Sequence, residues 1–480
     1  MHRLHSGLTV AVAIKDGRSP ELRALLRSLN NSIAKSEARN TNHHSNEPLP
    51  QGTDTNSPAE DSDQHDNNNK LCDFENSETT LVVSGVILPV QNYNGETLPS
   101  TLVFATTYSG PLKKHLEELV KTSKTGLCQI FKNCVGFPDG ESINDDALIS
   151  FIKSHSQGGA FGSRYTCITK QDVKNEKELR KEIEDYLDNV QESNSTVHKK
   201  ALDVKTLIQL HLKSRGDKFK WAMKPARDNL VEFLSKNRAF ILVGFLALAI
   251  IATTVIINRE SSGWPMSILL GIAVLIAVIA VTIIVGFGMI YFIARSKHNT
   301  ADRPPDDHVR QVTATQLRPI INEMTAAAPL KKGALRRAFY STALKIINLH
   351  SCYLMKVPTV SSLRWLAIDN HKRLLFLSNY SNTTDFYVRE FLNGKTPEGV
   401  NFMFTHGEGF PDAKYLRKGG ITEDPEGYMN VIHTHQHPTD LWYVHDSELT
   451  IDQILRNRQI RNGLYKEMNE QEALNWLRLL

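Results

Sequence analysis

GLCQIFKNCVGFPD, residues 126–139, and GVNFMFTHGEGFPD, residues 399–412, are one segment written twice. Each starts at a glycine, passes through an apolar run with helical spacing and ends on GFPD. Reading outward, the same order of segments recurs on both sides of the pair. LTVAVAIKDG (8–17) answers MTAAAPLKKG (324–333), an apolar strand closed by a basic residue and glycine, and a helical pattern follows each. TTLVVSGVIL (79–88) answers SSLRWLAID (361–369), and TLVFATTYSG (101–110) answers LLFLSNYSN (374–382), with Phe104 against Phe376 and Tyr108 against Tyr380. ISFIKSHSQGGAFGSRY (149–165) answers MNVIHTHQHPTDLWYVH (429–445). Ordered correspondence over such a length marks a duplication. The repeated order is β-α-β-β-α-β, so the predicted fold class is α+β, with two ferredoxin-like repeats. Two such repeats can bury their open sheet faces by packing sheet to sheet.

Between the copies lie AFILVGFLALAIIATTVII (239–257) and MSILLGIAVLIAVIAVTIIVGFGMIYFIA (266–294), neither holding a charge. About 20 apolar residues cross a hydrocarbon core of about 30 Å, so the two runs are expected to form a transmembrane hairpin turning at NRESSGWP (258–265). Lys213, Arg215, Lys218, Lys220, Lys224, Arg227, Lys236 and Arg238 precede the first run, and Arg295, Lys297 and Arg303 follow the second, against Arg259 alone in the loop. Basic flanks stay cytoplasmic. The expectation is a two-pass protein of the lipid bilayer with both termini in the cytoplasm. The spans hold no ionisable residue, which argues against a pump or proton-coupled transporter.

The expected organisation is a first repeat over residues 1–190, a basic amphipathic linker over 191–238, the hairpin over 239–294, a linker over 295–320 and a second repeat over 321–480. Residues 31–78, rich in Asn, Ser, Asp and Glu, interrupt the first repeat and read as a disordered insertion. In the linker, residues 211–238 interleave Phe219, Trp221 and Met223 with basic residues. The segment suits either a surface of anionic lipid headgroups or an ordinary helical connection. A net charge of +4 over 480 residues points to no nucleic acid. Five cysteines without metal-ligand spacing fit a reducing compartment, and no signal peptide is read at the N-terminus.

The doubled plan resembles the dimeric α+β barrel superfamily, which includes the haem-binding dye-decolourising peroxidases. Their GxxDG signature is matched by Gly136-Phe137-Pro138-Asp139-Gly140. The resemblance implies a distal role for Asp139 and a proximal haem ligand among the second copy's histidines, with His406, His435 and His437 as cofactor-binding candidates. The shared GFPD also reads as a turn inherited by both copies. His433-Thr434-His435-Gln436-His437 sets three imidazoles at alternate positions, which on a strand share one face and suit a metal; loop histidines are the plainer reading. His406 and Glu408 stand where the first copy has Asn133 and Val135, so this pair is a candidate acid/base site of the second copy alone. No Walker A loop, HExxH, GxSxG or GxGxxG occurs. Three functions stay open: a membrane-anchored module binding a protein partner or ligand through its duplicated domains, with the partner unidentified; a membrane-tethered haem-dependent oxidoreductase; and a lipid-modifying enzyme at the bilayer surface.

Overall fold

The computed structural model describes residues 5–42, 71–93, 95–138, 143–164, 167–192, 200–225, 229–295, 300–314, 320–349, 357–393 and 396–480. In chain order the elements are β1 (His5–Ala13), α1 (Ser19–Asn42), β2 (Thr80–Leu88), β3 (Gln91–Tyr93), β4 (Glu96–Leu98), β5 (Thr101–Ser109), α2 (Leu112–Phe131), α3 (Asp145–Ser154) and β6 (Gly159–Ser163). Helices α4 (Lys170–Glu192), α5 (Ala201–Ser214), a 3-10 turn (Gly216–Met223), α6 (Asn229–Ala294) and α7 (Asp306–Ala314) follow. Then come β7 (Ile321–Pro329), α8 (Ala334–Leu349), β8 (Val360–Ile368), β9 (Arg373–Ser381), α9 (Thr384–Glu390), α10 (Thr396–Phe404), β10 (Ala413–Lys414) and β11 (Lys418–Gly419). The chain closes with α11 (Pro425–His435), β12 (Gln436–His437), β13 (Thr439–Val444), α12 (Ile451–Tyr465) and α13 (Glu470–Leu477). The class is α+β.

These elements form two units. One comprises residues 6–157 and 437–445. Its sheet runs β1-β5-β2-β13, and β2 and β5, rich in β-branched residues, are buried along their whole length. The fourth strand comes from far along the chain: β13 lies antiparallel to β2, Trp442 opposite Ser84 and Val444 opposite Val82. Asp440 on that strand is buried and pairs with Arg27 at 2.9 Å and Arg23 at 3.3 Å on α1. The other unit holds His5, residues 158–436 and 446–480. Its main sheet runs β12-β7-β9-β8-β6, with β6 antiparallel to β8. The division departs from the sequence reading, which kept residues 149–165 and 429–445 each within its own repeat.

The same internal details recur in both units. β2 against β5 carries a bulge between Thr80 and Val82, and β8 against β9 carries one between Val360 and Ser362. Phe104, Phe131, Phe137 and Phe151 form a ladder of ring contacts 5.7, 6.3 and 5.0 Å between centroids. Phe376, Phe404, Phe410 and Tyr428 repeat it at 5.0, 5.6 and 5.7 Å. Tyr108 stacks on His115 at 4.2 Å where Tyr380 stacks on Tyr387 at 4.0 Å. His115 is fully buried, with hydroxyls of Thr79 and Thr106 at 3.1 and 2.8 Å from its nitrogens. Burial lowers its pKa to about 3.

Two readings change at the edges of the first repeat. Helix α1 continues to Asn42, into the stretch read as a disordered insertion, with Ile33 buried. At the far edge Cys72 and Phe74 are buried, and Gly126 N–H donates to the Leu71 carbonyl at 2.8 Å. The insertion's centre, residues 43–70, lies outside the described residues. The linker also has a packed role. Ile208, Leu212, Phe219 and Ala222 join Leu179, Ile183, Ile460, Leu464 and Trp476 in one core. Its apolar side is therefore covered by α4, α12 and α13, while Lys213, Arg215, Lys218, Lys220 and Lys224 remain exposed.

Helix α6 is two apolar helices, Phe240–Asn258 and Gly263–Ala294, of mean hydropathy 2.9 and 3.3, each long and apolar enough to cross a membrane. The break falls at Gly263, whose φ of 69° suits glycine, with Pro265 two residues on. A Cβ on Gly271 would stand 3.2 Å from Ile251 Cα, so the absence of a side chain lets the two helices pack closely.

Candidate functional site

The site grows from the end of β7. Leu330 bridges Gly407, Lys331 N–H donates to the His406 carbonyl at 2.8 Å, and Glu408 N–H donates to the Pro329 carbonyl at 2.8 Å. In the other unit Ile14 bridges Cys134, Lys15 N–H donates to Asn133, and Val135 N–H donates to Ala13, again at 2.8 Å. Gly409 and Gly136 both have φ of 75°, a conformation costly for any side chain. The loop backbone is thus common to both copies, and GFPD is part of its turn. Chemistry can differ only through the side chains it carries.

Asn133 is satisfied where it stands, its amide donating to the carbonyls of Gln129 at 2.9 Å and Ile130 at 3.3 Å. His406 is not. It is fully buried among Tyr340, Phe339 and Phe402, with ring centroids at 5.1, 5.7 and 6.5 Å. Neither ring nitrogen reaches hydrogen-bond geometry among the described residues, the Phe402 carbonyl being the backbone group that favours its protonation. Burial, helped by the charges of Arg336 and Lys331, lowers its pKa to about 3. A neutral imidazole of that kind is a poor base at neutral pH.

Lys331 and Arg336, which the sequence reading did not single out, are the buried cations here. Lys331 Nζ donates to Asp412 at 3.1 Å and to the Phe410 carbonyl at 3.4 Å. Burial lowers its pKa, and Asp412 opposes that shift. Arg336 donates to the carbonyls of Ile293 at 2.9 Å and Thr405 at 3.4 Å. Their signal in the sequence was LKKG and ALRRAF, basic residues beside apolar ones at the end of a strand and the start of a helix.

His435 and Glu408 border a small cavity with Ala326, Ala328, Phe404 and Val431. Its volume is about 20 Å³, room for a single water. A haem is many times the size of a single water, so the cavity as it stands has no room for one. Burial lowers the His435 pKa to about 4. The histidine run is not a strand face. Asp424 caps α11 and Pro425 opens it, so His433 and His435 lie on helix and His437 on β12. Alternate residues on a helix point to different sides. His433 stands 3.9 Å from Asp385 and its carbonyl accepts from His308 at 2.8 Å. Among the described residues no three His, Cys, Asp or Glu side chains are placed to hold a metal. Asp139 lies outside the described residues; Asp412, which ends GFPD in the second copy, is the partner of Lys331.

The buried imidazoles tie stability to pH. His115, His406 and His435 are neutral in the folded chain but titrate near 6.5 once unfolded. Folded pKa values are depressed, so their contribution is complete above pH 6.5 and is lost as pH falls from there through about 4 for His435 and about 3 for His115 and His406. Each fully buried histidine adds a slope of up to about 1.4 kcal/mol per pH unit. Denaturant midpoints measured at pH 7.5, 6 and 5 should decline in that order, and His115→Asn should flatten the decline. Separately, His406→Leu removes an unpartnered polar ring and should stabilise the chain by about 1–3 kcal/mol, read as a raised melting temperature. A loss instead would mean that the ring has a partner in solution.

Set against known protein-family models, curated proteins and solved structures, the chain matches none.

Proposed function

We propose that this chain is a two-pass membrane protein whose two α+β units both lie on the cytoplasmic side and bind a partner. The observation that carries the reading is the exposure of the two apolar helices. Only 6% of each span's apolar window is buried, and Phe245, Ile256, Ile284 and Phe287 point outward. A core helix of a soluble protein would bury such residues, and so large an apolar surface is unfavourable in water. Exposed Lys213, Arg215, Lys218, Lys220 and Lys224 ahead of the spans, with Arg295 after them, support cytoplasmic flanks. Those lysines and Arg215 are also the groups available to anionic headgroups.

The matching bulges, ring ladders and loop bonds support two ferredoxin-like repeats of the dimeric α+β barrel kind. Within each main sheet the first, third and second strands of a repeat run side by side, the central order of that fold. Binding is favoured over a peroxidase-like activity because the cavity beside His435 takes one water and His406 is closed off. Purified protein incubated with haemin and then freed of unbound haemin by gel filtration should carry no Soret band; a retained band that is lost in His406→Ala or His435→Ala would restore the oxidoreductase reading. Alkaline carbonate should leave the chain in the membrane pellet. A glycosylation acceptor inserted after Ser262 should be modified and one appended to either terminus should not. Release into the supernatant, or modified termini, would overturn the two-pass reading.

A further inference from the structure

Helix α8 presents two faces of opposite use. Arg336, Tyr340, Ala343 and Leu344 are buried against the sheet unit. On the other side Leu335 is 46% exposed and Ile346 54% exposed, with Phe339 half-buried and Ala338 and Thr342 exposed between them. Positions 335, 339, 342 and 346 follow the spacing of one helical face, a stripe about 16 Å long. Lys345, exposed, borders it, and Lys332, also exposed, lies just ahead of the helix. The corresponding helix α1 shows solvent a different face, Glu21, Arg27, Ser28, Asn31 and Ser32. Among the described side chains, α8 is the one of the two helices that is apolar outside.

What covers that stripe is indicated by where α8 begins. Arg336 is buried and donates to the Ile293 carbonyl at 2.9 Å, in the last turn of the second apolar helix, and α8 packs on α6. A guanidinium at a helix C-terminus satisfies a free carbonyl and complements the helix dipole. The bond therefore holds the first turn of α8 at the depth where this span leaves the hydrocarbon. Tyr291, with Arg295 5.7 Å from its ring, occupies the same end, an interfacial pairing.

We propose that α8 is a membrane-surface helix, its Leu335–Phe339–Ile346 stripe seated at the headgroup–acyl boundary with Lys332 and Lys345 against anionic headgroups. The inference rests on the two-pass reading and adds a second, monotopic contact to it. Apolar side chains on one face with basic residues at its margins are what such a helix requires. The contact would fix the second unit's orientation to the bilayer, which a flexible tether alone would leave free.

The test uses the full-length chain carrying Cys128→Ser and Cys352→Ser, the remaining Cys72, Cys134 and Cys167 being buried. Single cysteines in place of Leu335, Ile346 and, as a control in the span, Ile276 are labelled with bimane. Labelled protein is reconstituted into equimolar phosphatidylcholine–phosphatidylserine vesicles, with lipids brominated near either end of the acyl chain. Labels at 335 and 346 should lose emission more to the shallow bromines than to the deep ones, and the label at 276 should show the reverse. Quenching at 276 and 335 but not at 346 would mean that α8 leaves the surface, and would overturn the proposal. Blue-shifted emission at both positions without quenching would mean that protein covers the stripe, and would overturn it equally. An unquenched label at 276 would instead sink the two-pass reading, and this proposal with it.

Discussion

Leu441→Asp should strip protease protection from residues 6–157, although the substitution lies some three hundred positions further along the chain. Leu441 is completely buried on β13 and faces Gly85 across the sheet, 3.0 Å from where a Cβ there would stand. It belongs to the same core as Val83, Phe104 and Leu26. A carboxylate in that position has no room for water, and burying a polar group unpaired costs about 2–7 kcal/mol, more when it is charged. Against a domain stability of about 5–15 kcal/mol, the sheet β1-β5-β2-β13 should open. Leu441→Ala is the milder version, at about 2–5 kcal/mol. Limited proteolysis read by peptide mass should show cleavage rising in residues 6–157 and in the strand itself. The mirror substitution is Ala160→Asp on β6, buried opposite Trp365, which should expose β8 and β9 instead. If Leu441→Asp left residues 6–157 protected, the strand assignment would be wrong.

Arg461→Ala should also be damaging, and for an electrostatic reason. Glu176 on α4 is buried and bonds Arg461 at 3.1 Å and Arg458 at 2.6 Å, while Asp172 stands 3.8 and 3.5 Å from the same two guanidinium groups. Burial raises the Glu176 pKa even against both arginines, a sign that desolvation of this carboxyl is heavy. Breaking a buried pair outright costs about 3–5 kcal/mol; Arg458 stays on Glu176 at 2.6 Å, so removing Arg461 should cost at most the lower end of that range. Arg461 also lies 4.9 Å from the Trp221 ring, so the substitution loosens the 3-10 turn ahead of the apolar helices. Replacing Glu176 and Arg461 together by Met should recover much of the loss, since apolar groups of similar volume carry no desolvation cost. Denaturation midpoints of the single and double variants distinguish the two causes. Equal losses in both would show that packing, not charge, holds α4 to α12.

Much of this architecture is legible in the residues. Phe104 and Phe376, Tyr108 and Tyr380, and the doubled GFPD align in the sequence alone, and the members of each aromatic pair occupy matching places in their units. The alignment succeeds there because ring spacing and turn residues are local constraints, met in the same way in both units. It fails where local pattern is ambiguous. HTHQH alternates like a strand, but the Asp424 cap and Pro425 draw it into helix α11 as far as His435. Phe219, Trp221 and Met223 resemble a membrane-facing set, yet they pack into a protein core, because hydrophobic spacing says that a face is buried, not what buries it. Lys331 and Arg336 stand beside apolar residues in LKKG and ALRRAF, but that spacing does not tell a buried cation from a solvated one.

The sequence by itself determined that two runs are long and apolar enough to cross a membrane, and that similar segments, GFPD among them, stand in the same order on either side of those runs. Those properties follow from composition and short-range spacing. Only the tertiary structure decided which strand completes which sheet, since an edge strand can pair with any free edge and its partner is chosen by distant residues such as Leu441 and Ala160. It also decided that His406 is sealed while Asn133 is satisfied, because burial and hydrogen bonding depend on neighbours that the chain brings together from far apart.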